Sequence, residues 1–474
     1  MSGGRKRLLA LAALALAPAL ILAAACGDDD DDNGGDGETP AAGESPAPGA
    51  GGSVDVVGIW GDEELASFEA MVEGWGGEMN FTGTREITAL LSQRVPGNPP
   101  DVAIPAEIGL FRRFAQEGLL TPLSECEGLE DLVRANYPES FIELGTVDGT
   151  LYGFFMKADT KATIWYNPSF FEANNLTALD EDASFDDLIA LSDEILATGT
   201  PPWSNGQEAG DGTGFPASDT IQQIILNDAG EDTYDAIVNG ETPYTDDAVR
   251  QAWERFGQLV LTQGYVTQGS AQGVVATPFM DSAYPPFQDP PGAGMVHLGG
   301  FAAGFITDQF PDAQAGTDFD FMPWPGGAVT GGANIAYAFN SDPATCSFLT
   351  HIAGAQAQQV WVERGGFTSL NREVPLDAYP DDVARAQAQQ LLDAEVFRFD
   401  MDDAIGGGGQ QAIFQGIIQY LQDPDSLDSI LQGIDDAIQQ QIATSGGGDD
   451  GTPADGSEDG TPADGGGEDG TPAE

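Results

Sequence analysis

Two kinds of side chain recur just beyond short apolar runs, and together they suit one kind of chemistry. The run "VDVVGIW" ends at Trp60 and is followed by Gly61, Asp62, Glu63 and Glu64. Glu107 follows "DVAIP", Phe301 follows "GMVHLGG", and Trp324 closes "DFDFMPW". An aromatic face stacks against the C–H face of a sugar ring, and a carboxylate accepts hydrogen bonds from neighbouring hydroxyls. A cleft built from both suits an uncharged polyol. The competing role for each aromatic is core packing, because a Trp near a strand end is commonly buried.

Catalytic groups are scarcer. His297 and His351 are the only histidines, and the chain has no H-E-x-x-H, no G-x-S-x-G and no glycine-rich loop ending in Lys-Ser or Lys-Thr. His351 falls in an amphipathic helical stretch, where packing is its expected role. "GGGG" at 406–409 reads as a flexible turn. Asp29, Asp31, Asn33 and Gly34 begin like a calcium loop, but Pro40 stands where the closing Glu belongs. No catalytic residue, metal or cofactor is expected.

The elements that must position these groups alternate. "VDVVGIW", "DVAIP", "LYGFFMK" and "KATIWYN" read as strands. "EELASFEAMVEGW" places Leu65, Phe68, Met71, Val72 and Trp75 on one helical face, and "EIGLFRRFAQEG" does the same with Ile108, Phe111, Phe114 and Ala115 before Gly118. "SFDDLIALSDEILATG" opens on Ser184 as a helix N-cap and stops at Gly199. Strand–helix alternation predicts α/β layers with parallel sheets, and in such sheets ligands lie beyond the carboxyl ends of the strands.

The 474-residue chain carries 77 Asp and Glu against 16 Lys and Arg, a formal net charge of −61. Phosphate binding needs clustered bases, so nucleic acid is excluded as a partner. The acidity reads as a solvated surface. At the start, Arg5, Lys6 and Arg7 precede the apolar run Leu8–Leu22 and the small residues Ala23, Ala24 and Ala25. That is a secretory signal peptide, 1–25, and Cys26 directly after it resembles a bacterial lipobox. The resemblance implies acylation of Cys26 and attachment to the bilayer on the extracytoplasmic face. Residues 26–53 and 441–474 have almost nothing apolar to bury and are expected to be disordered acidic segments. Of the three cysteines, Cys126 and Cys346 then remain, either as a disulfide or as two separate thiols.

The order of segments over about 54–440 resembles a bacterial extracellular solute-binding protein, the sugar-capturing component of an ABC importer, and most of all its α-glucoside-type members. The blocks "KATIWYNP" and "GTPPWSNGQE" carry most of the likeness, with "GNPPDVAIPAEIGLFRRFAQEGLLTPL", "FQDPPGAGM", "DFDFMPWP" and "FRFDMDDAIG" beside them. The resemblance implies an α/β fold of two periplasmic-binding-protein-like lobes, a ligand cleft between them and a hinge of several crossings. It places lobe one at 54–160 plus 335–370 and lobe two at 161–334 plus 371–440. Positions matching cleft-facing segments are Trp60, Glu63, Glu107, Lys161, Trp165, Trp203, Asp219, Phe301, Trp324, Gly332 and Asp400. Thr220, Ala293 and Met401-Asp402-Asp403-Ala404 depart from the α-glucoside pattern. The implied partners are a carbohydrate, the membrane permease and the bilayer, with the receptor a monomer. The alternative is a lipid-anchored carbohydrate-active hydrolase using paired carboxylates.

Overall fold

The computed structural model describes residues 52–446; the signal peptide, Cys26, nearly all of the tether and the tail from 447 lie outside the described residues. In chain order the strands are β1 (Ser53–Gly58), β2 (Glu78–Gly83), β3 (Val102–Ile104), β4 (Thr146–Val147), β5 (Thr150–Leu151), β6 (Gly153–Thr160), β7 (Thr163–Tyr166), β8 (Trp203–Ser204), β9 (Met295–His297), β10 (Asp320–Pro323), β11 (Val329–Ala338) and β12 (Phe397–Phe399). The helices that matter below are α1 (Asp62–Val72), α2 (Ile108–Gln116), α3 (Phe185–Ala197), α4 (Phe215–Ala229), α5 (Asp382–Asp393), α6 (Met401–Ile405), α7 (Gly407–Gln422) and α8 (Leu427–Gly446).

Two sheets organise the molecule. The larger runs β12-β11-β3-β1-β2, with β6 also on β11; the smaller runs β10-β7-β9-β8. β1 and β3 are central in the larger sheet, and Val54, Val56, Val57, Val102 and Ile104 are wholly buried. Strands covered on both faces read as near-continuous apolar runs, which is why "VDVVGIW" and "DVAIP" were legible. The expected all-parallel pairing holds for β1 with β2 and β3, for β11 with β12 and for β8 with β9. β11 is antiparallel to both β6 and β3, and β7 is antiparallel to both β9 and β10. The difference follows from chain path: β6 leaves the larger sheet for the smaller one, β11 returns, and so they run in opposite directions.

The chain passes between the two sheets at Lys161–Ala162 and again at Trp324–Ala328. α3 begins with a complete capping box, Ser184 and Asp187 each satisfying the other's backbone N–H. The "GGGG" segment is not a turn, because α7 starts at Gly407. A Cβ on Gly409 would stand 2.5 Å from Ile405 and 3.2 Å from Ile438, so the missing side chain admits α8 rather than loosening the backbone. α8 continues to Gly446, so residues 441–446 are helical rather than part of the tail. Its stripe of Leu427, Ile430, Leu431, Ile434 and Ile438 is buried and holds it. His351 packs as read, its Nε2 3.0 Å from the Met71 carbonyl. Cys126 and Cys346 are joined in a disulfide with their Cα atoms 5.1 Å apart.

Candidate functional site

The end of β6 carries a charged stripe. Lys157, Asp159 and Lys161 are half-buried, whereas the intervening Ala158 and Thr160 are buried. Strand side chains alternate between faces, so the three charges share one side of the chain as it leaves the larger sheet. Only three lysines occur in the sequence, at 6, 157 and 161. Both described lysines therefore stand on this stripe.

Lys161 gathers two other predicted residues. Its Nζ lies 2.9 Å from Asp219 Oδ1 on α4 and 2.7 Å from Asp400 Oδ2 at the start of α6. Gln222, one turn along α4, donates to Asp219 Oδ1 and Asp400 Oδ1 at 3.2 and 3.3 Å, and its Oε1 accepts from the Met401 amide. An ammonium has three N–H donors; two are used here, and the side chain keeps 16 % exposure beside the Phe215 ring. Burial alone would lower the Lys161 pKa, but Asp219 and Asp400 outweigh it and hold the ammonium charged. The carboxylates outnumber the cation: burial raises Asp219 to about 7 against the pull of Lys161, and raises Asp400 and Asp402 as well. Asp219 Oδ2 and Asp402 Oδ1 are buried with no hydrogen-bond partner.

At the other end of the stripe, Lys157 Nζ lies 2.8 Å from Glu64 Oε1 and over the Trp361 ring. Asp159 lies between the lysines, raised to about 6 by burial even though Lys161 and Lys157 both favour its charge. A Cβ on Gly300 would come within 2.5 Å of Asp159 Oδ1, so the glycine opens the approach to that carboxylate. Lys157, Asp159, Phe301, Tyr379 and Gln387 line a hollow of about 250 Å³. Glu64 also borders a second hollow, about 520 Å³, at the carboxyl ends of β1 and β2, with Thr84 and Arg85 on its rim.

Beside the stripe, four half-buried phenylalanines form a row. Ring centroids are 5.7 Å apart for Phe301 and Phe305, 5.8 Å for Phe305 and Phe279, and 5.0 Å for Phe279 and Phe215. Phe301 shares the hollow of Lys157 and Asp159, and the Phe215 ring lies 5.7 Å from the Lys161 ammonium, so stacking faces and oxygen acceptors adjoin at both ends of the stripe, as a neutral hydroxylated ring requires of a binding crevice.

The four predicted tryptophans are largely buried, although Trp60 also borders the Glu64 hollow and Trp324 a separate one. Trp60, Trp165, Trp203 and Trp324 are 1, 0, 3 and 2 % exposed. Trp60 packs against Phe68 and Trp361 at 4.7 and 5.0 Å; the indole N–H groups of Trp165 and Trp203 donate to Leu298 O and Ser192 Oγ. Trp324 lies against the His297 ring at 4.6 Å. Glu107 is exposed at the N-terminus of α2, and Gly332 pairs with Asp159 across β11 and β6. Glu63 belongs to α1, and its side chain lies outside the described residues. Lys157, Asp159, Arg85 and the phenylalanines other than Phe301 were missed. The period-two alternation of charge after Phe155 was a usable signal for the first two; the row of rings comes from separate segments and gave none. Among the described residues, no group of three or more His, Cys, Asp or Glu could hold a metal ion.

Two lobes, repeated crossings and a polar crevice at strand ends define a receptor that holds a solute between its halves. The chain belongs to the bacterial extracellular solute-binding protein family, whose model matches residues 65–388. It is 30% identical over 395 residues to the osmoprotective compounds-binding protein GgtB of Synechocystis, covering 80% of this chain and 92% of that protein. It is 31% identical over 400 residues to the alpha-glucosides-binding periplasmic protein AglE of Rhizobium meliloti, covering 80% and 85%. Among solved structures it resembles the bacterial solute receptor AcbH, with a TM-score of 0.71 and 18% identity over 82% of this chain and 99% of that one. It also resembles the sugar-binding protein MalE of Xanthomonas citri, with a TM-score of 0.64 and 15% identity over 83% and 98%. The family's members are receptors rather than enzymes, and they work outside the cytoplasm. Among the described residues no helix is long and apolar enough to cross a membrane.

Proposed function

We propose that this chain captures an uncharged carbohydrate of the α-glucoside kind and hands it, chemically unchanged, to the permease of an ABC importer. The observation that carries this reading is the crevice along the β6 stripe and the phenylalanine row. Its two lysines are already matched by carboxylates, so neither is left free for an anionic solute. It does offer acceptors at Asp159 and a remaining N–H at Lys161, beside rings that can stack on sugar faces. The 31% identity to an alpha-glucosides-binding protein supports the class of sugar. Micromolar capture needs about 8 kcal/mol net, within reach of a few stacked rings and several hydroxyl contacts after the cost of closure.

The proposed lobes are 54–160 plus 335–370 and 161–334 plus 371–440, with the cleft between them; on these bounds the larger sheet continues across the boundary through β11 and β12. Lys161, Asp219, Asp400 and Phe301 are the predicted residues assigned to this site, with Lys157, Asp159 and Glu64 added. A lipid on Cys26 and the acidic tether would hold a monomeric receptor near its permease. The test is a panel of maltose, trehalose and sucrose on the mature protein, followed by melting temperature and by product analysis. A stabilising shift without product is the expected result. Product formation abolished by changing one crevice carboxylate would establish the hydrolase instead.

A further inference from the structure

His297 takes no part in the crevice wall, yet it touches three of the pieces that build it. It lies on β9, paired with Ile164 of β7. Its Nε2 is 2.8 Å from the carbonyl oxygen of Lys161, and its Nδ1 is 2.8 Å from Thr220 Oγ1 on α4, the neighbour of Asp219. Trp324, beside the second crossing, lies against its ring.

The partners fix the tautomer. A carbonyl oxygen only accepts, so Nε2 carries the proton and donates to Lys161. Nδ1 then has a lone pair and accepts the Thr220 hydroxyl. The Pro216 carbonyl, 3.1 Å from the same hydroxyl, is its longer partner. The ring is 6 % exposed, and burial keeps it neutral, with a pKa of about 4. The Lys161 amide meanwhile donates to the Thr330 carbonyl at 2.8 Å. The backbone of Lys161 is thus held from both sides while its ammonium reaches Asp219 and Asp400.

We infer that His297 is a positioning residue of the ligand site: as the Nε2–H tautomer, fixed by the Lys161 carbonyl and matched by the Thr220 hydroxyl, it anchors that carbonyl and so aims the remaining ammonium N–H into the crevice. The inference rests on the proposed function for its ligand readout. It also gives Thr220, a departure from the α-glucoside pattern, a part in the site without ligand contact. Thr220 is 2 % exposed and its hydroxyl is committed inward.

Three variants test it: His297→Phe keeps an aromatic ring and loses both bonds, His297→Gln restores a donor, and Thr220→Val removes the hydroxyl that bonds Nδ1. Calorimetry with the maltose, trehalose or sucrose that wild type binds most tightly should show affinity falling ~30-fold for His297→Phe, within ~5-fold of wild type for His297→Gln, and in between for Thr220→Val. In the ligand-free protein, hydrogen exchange at the Lys161 amide should rise ~10-fold in His297→Phe and stay near wild type in His297→Gln. Exchange that is unchanged in His297→Phe overturns the inference, as does an equal loss of affinity in the Phe and Gln variants. If wild type binds no sugar in the panel, the functional reading falls, and the exchange pattern alone still decides the role of His297.

Discussion

Lys157 and Lys161 sit four residues apart on one stripe, and their surroundings could hardly differ more. Lys157 pairs with one carboxylate, Glu64, whose side chain is 47 % exposed. Lys161 pairs with two, Asp219 and Asp400, each with a side chain only 3 % exposed. The first pair faces water and is screened by it; the second is enclosed, and its charges must answer one another. One stripe therefore joins an adjustable end, bordered by the Phe301 hollow, to a locked end at the crossing between lobes. In a chain of net charge −61, the two described lysines are spent at this one place.

The largest effect should come from breaking the locked end. Lys161→Ala leaves Asp219, Asp400 and Asp402 buried without their cation, and removing one partner of a buried pair costs about 3–5 kcal/mol. Denaturant unfolding should show that loss, together with loss of ligand binding. A variant with wild-type stability would mean that the carboxylates reach water more easily than their burial indicates.

Next comes the response of the same cluster to pH. The folded pKa of Asp219 is raised to about 7, above its unfolded value, so the folded state binds more protons over the interval between them. Stability should therefore fall as pH rises towards and through 7, and level off by about pH 8. His297, lowered to about 4, acts in the opposite direction, but only below its unfolded value near 6.5. Melting temperatures between pH 6.5 and 8 thus isolate the carboxylates. A melting temperature that climbs across this window would show Asp219 fully ionised in the folded protein.

The open end is sharpened by Phe301→Ala. Its half-buried ring shares a hollow with Lys157 and Asp159, and a lost stacking contact is worth about 0.5–1.5 kcal/mol. Sugar affinity should fall up to roughly tenfold with little change in melting temperature. A collapsed melt with unchanged affinity would place the ring in the core and move the ligand away from Lys157.

What the sequence revealed, and what it withheld, follows the same division. The buried strands β1 and β3, the cap of α3 and the faces of α1 and α2 were legible because each depends on neighbours within a few residues. Lys161, Asp219 and Asp400 were found only through resemblance, since three segments far apart in the chain build their cluster. The tryptophans show the limit of reading residue type at strand exits. Trp60 and Trp203 have the right chemistry for stacking, but most of their area is buried, Trp60 against Phe68 and Trp361 and Trp203 beside Ser192, with Trp60 also bordering the Glu64 hollow. The half-buried rings come from smaller side chains, Phe215, Phe279, Phe301 and Phe305, on separate segments.

Lys157→Ala should have the smallest effect on folding. The pair with Glu64 is partly exposed, and such pairs contribute about 0–1 kcal/mol, less in high salt. The lysine stem also covers Trp361, so a small loss of packing remains after the charge is screened. Asp159, however, loses one of the two cations that favour its ionised form, and its pKa should move further above about 6. A protonated Asp159 accepts fewer hydroxyl contacts, so binding at pH 6 should weaken more than binding at pH 8, although stability barely changes at either. Equal loss at both pH values would confine Lys157 to direct contact with the sugar and remove Asp159 from the acceptor set.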